Sequence, residues 1–286
     1  MNKKNDFSQK MHSYLRHPAS LIVMILVKLA ALITFTVLIF LIVYILVHGV
    51  PYLKPSLFSL HYNSENASLM PALINTVIMT LLSLLLAVPI GIFSAIFLAE
   101  YAGKGNKFVD IIRLTTETLS GIPSIVYGLF GMLFFVSTCH WGFSLLAGAF
   151  TLAIMILPLI MRTTEEALLS VPDSYREGSF GLGAGKLRTV FYIVLPSAVP
   201  GILAGVILAI GRIVGETAAL IYTAGSVAQV PSSVLGSGRT LAVHMYLLAS
   251  EGLYMDQAYA TAVILLVLVV VINTLSGMVA KKLTKA

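Results

Sequence analysis

Charge is what this sequence has least of. Only 10% of its 286 residues are Asp, Glu, Lys or Arg, 58% are hydrophobic, and the mean hydropathy is +0.96. Soluble domains carry about 25% charged residues. A chain this poor in charge cannot clothe a water-facing surface, so it sets its exterior against lipid. Cysteine is almost absent too. The single Cys139 excludes an internal disulfide and a thiolate metal cluster. Nothing cationic close to it in sequence would lower its pKa, so it reads as a small apolar filler at a membrane boundary. The six histidines are scattered without metal-ligand spacing, and His244 reads as an exposed or boundary residue.

What is present is apolar length. Six stretches reach the roughly 17–25 residues a helix needs to cross a bilayer: 21–47, 71–98, 119–138, 143–161, 197–222 and 258–280. Pro89 and Pro158 lie inside the second and fourth, which packed membrane helices tolerate. The basic start resembles a signal peptide. Its apolar run continues to Val47, beyond the roughly 7–15 residues of a signal core, without a small-residue cleavage site, which predicts an uncleaved first span. The expected fold is an all-α integral membrane protein: a tail (1–20), a first helix (21–48), a five-helix unit (69–280) and a second tail (281–286).

The basic residues between spans fall unequally. Lys3, Lys4, Lys10 and Arg16, then Lys104, Lys107 and Arg113, then Arg162, Arg176, Lys186 and Arg188, then Lys281, Lys282 and Lys285 make fourteen on one face, against Lys54 and Arg239 on the other. The positive-inside rule predicts both termini in the cytoplasm. The net charge of +6 is thereby explained as topology and anionic-lipid contact, not as a nucleic-acid surface. Lys28, seven residues into the first span, is expected to snorkel to the cytoplasmic interface.

Two segments between spans are too long to be simple turns, 163–196 on the basic face and 223–257 on the other. The first is expected to meet a partner and the second the substrate or its carrier. In the first, Ser170 suits an N-cap, Pro172 the first helical turn and Asp173 the positive helix start. Tyr175, Phe180 and Leu182 give an apolar face, and Gly183 can take the left-handed conformation that ends a helix. A second short helix from Lys186 leads to Leu195 and Pro196. Within it, 181–186 has the look of a phosphate-binding loop. That motif requires Gly where Phe180 stands and Ser or Thr where Leu187 stands. The chain therefore carries no ATP site of its own.

The fifth stretch holds the one intramembrane pair of opposite charges, Arg212 and Glu216. Four residues apart on a helix, they share a face, and each costs at least about 2.5 kcal/mol near the membrane centre. Two readings stand: a self-neutralising pair that fixes packing, or a polar station where an arginine fork holds an anion. Gly201, Gly205, Gly211 and Gly215 add two small-xxx-small pairs that let helices approach.

These residues carry a resemblance. Glu177-Gly178-Ser179, three residues, Gly183, nine residues, Ile193, one residue, then Leu195-Pro196 is similar to the EAA loop of bacterial ABC importer permeases, with Gly178-Ser179 in place of two alanines. Residues 118–128, from Thr118 through Ser120, Pro123, Ser124 and Tyr127 to Gly128, resemble the third-span motif of the phosphate importer permeases. Asn75-Thr76 with 87–91, and 211–217 around Arg212 and Glu216, resemble their second and fifth spans. Residues 243–246 and 249–252 resemble the PstA branch rather than PstC.

The resemblance implies an ABC type-1 (MetI-like) permease of the bacterial inner membrane. Tyr175, Glu177, Gly178, Ser179, Gly183, Ile193, Leu195 and Pro196 would then seat a separate ATPase subunit, and Arg212, Glu216, Ser120, Ser124 and Tyr127 would line the substrate path. It further implies a PstC-like second permease subunit, two PstB-like subunits that bind ATP and magnesium, a PstS-like phosphate-binding protein, and inorganic phosphate as substrate, with no cofactor on this chain. From the chemistry alone the substrate is only a small anion. A permease for another oxyanion, a stand-alone anion carrier or channel, and an integral-membrane enzyme are the other classes. The last lacks the converging acid/base groups or metal ligands it would need.

Overall fold

The computed structural model describes residues 18–102, 105 and 107–284, with no strand among them. Lys3, Lys4, Lys10, Arg16, Lys104 and Lys285, counted above, lie outside the described residues. In chain order the helices are α1 (Pro18–Gly49), α2 (Met70–Ile96), α3 (Lys107–Ser120), α4 (Ser124–Gly131), α5 (Leu145–Leu169), α6 (Asp173–Gly181), α7 (Lys186–Thr189), α8 (Leu195–Gly215), α9 (Ala218–Ile221), α10 (Leu241–Glu251) and α11 (Met255–Thr284). Wider π turns extend α2 through Phe97–Tyr101 and α4 through Met132–Thr138, and join α7 to α8 through Val190–Val194. Five helices are long and apolar enough to cross a membrane, six if α3 and α4 count as one bent span.

Helices α2, α5 and α8 form the centre. Met79, Leu152, Ile156, Ile160, Ile213 and Leu220 are buried where they meet α9. In lipid, burying a leucine against another helix gains little transfer energy, so small residues that permit close contact hold the bundle. Gly205 rests on Thr163, where an added Cβ would fall 2.0 Å from the threonine oxygen, and Gly201 rests on Ala167. These two seat α8 on α5. The second pair, Gly211 and Gly215, faces no atom within 4 Å. Helices α2 and α5 run unbroken through Pro89 and Pro158. Helix α1 joins the rest at α11, where Gly49 presses on the Tyr259 backbone. Its apolar surface is otherwise almost wholly exposed, as a lipid-facing helix requires.

Three boundaries differ from the expectation. The third stretch breaks at 121–123, where the chain turns by 101° between α3 and α4. Pro123 lacks a backbone donor and disfavours helix in the residue before it. The membrane helix therefore starts at Ser124, not at 119, and α3 is a charged helix where a loop was expected. The fourth helix runs to Leu169, two turns past 161. The fifth ends at Gly215, with Glu216 extended, rather than at 222.

The 223–257 segment is no open loop. Leu145 and Leu146 donate to the Gly236 and Val234 carbonyls, at 3.0 and 2.8 Å. Leu241, Val243 and His244 of α10 are fully buried. His244 thus stands against its reading as exposed, because α10 folds back against the bundle instead of lying on its surface.

Candidate functional site

The loop at the basic end is built from backbone geometry upward. Ser170 does not cap α6. It ends α5, its backbone N–H donating to the Glu166 carbonyl at 3.0 Å. Pro172 takes the N-cap position instead. Helix α6 then runs nine residues and is closed by Gly183 at φ +81°. Ala184 donates to the Ser179 carbonyl at 3.1 Å, and the chain reverses into α7. The Ser179 and Thr189 hydroxyls bond across the reversal at 2.8 Å. The fold therefore brings Tyr175, Gly178, Ser179, Gly183 and Ile193 around one cleft of about 460 Å³, with Leu182 and Arg188 on its rim. Leu182 is 91% exposed, and an added Cβ at Gly178 or Gly183 meets nothing within 4 Å. The two glycines of the motif face outward rather than packing inside the chain, while Ser179 turns its hydroxyl to Thr189. Glu177 is exposed beside them, Leu195 is half-buried, and Pro196 opens α8.

Arg176, counted above only as a topology charge, anchors this loop. Its Nη2 reaches Glu100 Oε1 at 2.6 Å and the Leu168 carbonyl at 2.9 Å, and its Nη1 reaches the Val171 carbonyl at 2.7 Å. Glu100 closes α2, and Leu168 and Val171 close α5. Lys186 at the start of α7 lies 5.0 Å from the centre of the Tyr101 ring. Since α7 flows into α8, the loop is fastened to all three central helices. Ala95, Ile96, Leu168, Val171, Val190 and Val194 fill the space beneath it. Glu100 and Arg176 are 76 positions apart, so spacing could not pair them. The one available signal was a lone carboxylate at a span's basic end.

The expected translocation residues are arranged differently from a helical pair. Arg212 sits half-buried in the last turn of α8. Glu216 lies past that helix, is 8% exposed, and its Oε1 accepts from the Ala219 backbone N–H at 3.0 Å. Its carboxylate therefore holds the start of α9, and the two charges do not share a helix face. Tyr127 is buried and donates to the Leu119 carbonyl across the bend at 2.8 Å. Arg212 is close enough to act on that tyrosine electrostatically. Ser120 donates to the Thr116 carbonyl at 3.1 Å, and Ser124 lies half-buried in the first turn of α4. Gly128 of α4 meets Ala219 so closely that a Cβ would approach its Cα to 2.8 Å. The structure thus gathers Tyr127, Glu216 and Arg212 at one junction of α4, α8 and α9.

His244 lies outside the membrane-spanning helices. Burial, then the Arg239 charge, push its pKa down to about 3, against an opposing contact from Ala67. A folded pKa below the unfolded value means the unfolded state takes up the proton first. Stability is then complete above about pH 6.5 and falls as pH drops toward 3, by about 2 kcal/mol at pH 5. Thermal unfolding at pH 8 and pH 5 should show this loss, and His244→Gln should lose that part of the slope.

Residues 87–285 match the model of the binding-protein-dependent transport system inner membrane component family. The chain belongs to that family. This permease is 35% identical over 278 residues to the probable ABC transporter permease protein YqgI of Bacillus subtilis, covering 90% of this chain and 94% of that protein. It is 39% identical over 178 residues to the phosphate transport system permease protein PstA of Haemophilus influenzae, 62% of each chain. With PstA 1 of Mycobacterium tuberculosis the figures are 35% over 211 residues, 73% of this chain and 69% of that one. The permease fold is also that of a bacterial ABC transporter that imports alginate, at a TM-score of 0.68, 18% identity, and coverage of 96% and 99% of the two chains. It is a PstA-like, multi-pass inner-membrane transport subunit.

Proposed function

We propose that this permease is a transmembrane subunit of an ATP-driven phosphate importer. The cleft on the α6–α7 reversal carries the reading. It is exposed, partly apolar and fastened through Arg176 to the ends of α2 and α5. A surface built to be pushed needs an outward seat and a stiff connection, and this loop has both. The ATP and its magnesium belong to two PstB-like subunits, one of them seated in the cleft. A PstC-like permease completes the path, and a PstS-like protein delivers phosphate at the opposite end. The fourteen basic residues on one face support cytoplasmic termini.

The transport cycle follows as alternating access. ATP draws the ATPase subunits together, the α6–α7 loop moves with them, and the central helices open toward the delivery protein. Hydrolysis resets them toward the cytoplasm. The chain transmits force and lines the path without covalent chemistry.

Phosphate as substrate is supported by the PstA relatives and by the half-buried Arg212, whose planar fork matches an oxyanion. Arg212→Gln is expected to cut ATP-driven phosphate uptake at least about tenfold, which corresponds to losing one charge-assisted contact, with ATPase binding intact. Uptake at the wild-type rate would assign Arg212 to packing.

A further inference from the structure

A second cationic centre lies away from Arg212, where the 223–257 segment meets the start of α2. Arg239 is 6% exposed, and its guanidinium carbon stands 4.6 Å from the centre of the Tyr62 ring. Its Nε and Nη2 are buried and find no acceptor among the described residues. The ion pairs of the described residues join other arginines: Arg113 to Glu165, Arg162 to Glu166, and Arg176 to Glu100 and Asp173. A buried guanidinium without a counter-charge is costly, and one aromatic face returns only part of that cost.

The backbone prevents escape to solvent. The Arg239 N–H donates to the Val227 carbonyl at 2.9 Å, and the Arg239 carbonyl accepts from Asn75 Nδ2 at 3.1 Å. Gly238 lies so tightly on Asn75 that an added Cβ would come within 2.6 Å of it.

Two more unsatisfied groups follow in sequence. Thr240 is the N-cap of the eleven-residue α10, and its hydroxyl, 2% exposed as a residue, makes no capping bond. His244, one turn on and fully buried, makes no well-formed hydrogen bond through either ring nitrogen, with the Ala67 backbone close by, and its ring stands edge-on to Tyr62. Arg239 and His244 are near enough to interact electrostatically. A helix start adds the positive end of its dipole, while its first N–H, that of Leu241, is held by the Thr76 hydroxyl at 2.8 Å.

We propose that Arg239, Thr240 and His244 form a buried site for a small inorganic anion, which locks the 223–257 segment onto α2. The unsatisfied guanidinium atoms are enclosed by this chain itself, so a carboxylate on a partner subunit cannot reach them. The site is distinct from Arg212 and does not depend on what the permease transports.

The test uses the full chain purified in its membrane complex. Gluconate is replaced by chloride or by phosphate at constant ionic strength, and the thermal midpoint is followed. A saturable rise with either small anion is expected in the wild type and in Arg212→Gln, lost in Arg239→Gln and weakened several-fold in Thr240→Val. A midpoint indifferent to the anion, or the same rise in Arg239→Gln, would overturn the site. Should Arg239→Gln fail to fold, wild-type crystals soaked in bromide decide. An anomalous peak beside the guanidinium supports the site, and water alone there sinks it.

Discussion

Gly183→Val is expected to abolish ATP-driven uptake while leaving the chain inserted and its helix bundle intact. Gly183 holds φ at +81°, in the left-handed region that a β-branched residue enters only with strain. No atom lies within 4 Å of an added Cβ, so the penalty is conformational rather than steric. A penalty of about 1–3 kcal/mol falls on a single turn. That turn is held by little more than the Gly183 and Ala184 backbone bonds and the Ser179–Thr189 hydroxyl bond. Once it relaxes, α6 and α7 no longer frame the cleft. An added side chain here points away from the central bundle into open space, so expression and membrane insertion should be unchanged. Gly183→Asn is the matched control, since asparagine tolerates the left-handed region and should retain much of the uptake. Full uptake by the valine variant would show that the reversal does not matter for transport.

Arg176→Ala should separate ATP hydrolysis from transport. The arginine side chain is 15% exposed and the Glu100 side chain 7%, so their pairing is largely shielded from water. Removing one partner of such a pair costs about 3–5 kcal/mol, because the other charge is left buried. The guanidinium also serves the Leu168 and Val171 carbonyls, and no lysine supplies that fork. Arg176→Lys is therefore expected to fail nearly as badly as Arg176→Ala. In both, phosphate uptake by the reconstituted complex should drop at least about tenfold, while ATP hydrolysis continues without responding to substrate. Glu100→Gln keeps a neutral acceptor and should lie between. Normal coupling in Arg176→Ala would mean that the loop moves the central helices through α7 and α8 alone.

Much of this architecture is legible in the sequence because lipid leaves few choices. A backbone in hydrocarbon must close its hydrogen bonds locally, so apolar length alone located the first, second and last spans to within a few residues of their boundaries, while the fourth runs two turns further than its apolar stretch. The shape of the α6–α7 reversal was legible through Gly183, whose left-handed turn brings Ile193 beside Tyr175 and Gly178. Hydropathy could not see the break after Gly215, because Glu216 buys its place among apolar residues by capping α9. Nor could it see the bend at 121–123, where apolar residues continue across a 101° turn. Helix α3 escaped because its charges read as loop. Arg176, Glu100, Arg239 and His244 escaped for a different reason. Each is defined by partners far along the chain, such as the 76 positions between Arg176 and Glu100, and a single sequence carries no record of such meetings.

The central claim is that the cleft between α6 and α7 seats the ATPase subunit and takes its motion. Because Cys139 is the only cysteine, a Cys139→Ser background permits one reporter at a chosen place. The most direct measurement is cross-linking of Tyr175→Cys to a single cysteine on the ATPase subunit, read together with ATP-driven phosphate uptake. The account predicts that the cross-link forms in the assembled complex and that fixing it stops uptake. A Tyr175→Cys reporter that never reaches the ATPase, or a cross-linked complex that transports freely, would contradict it.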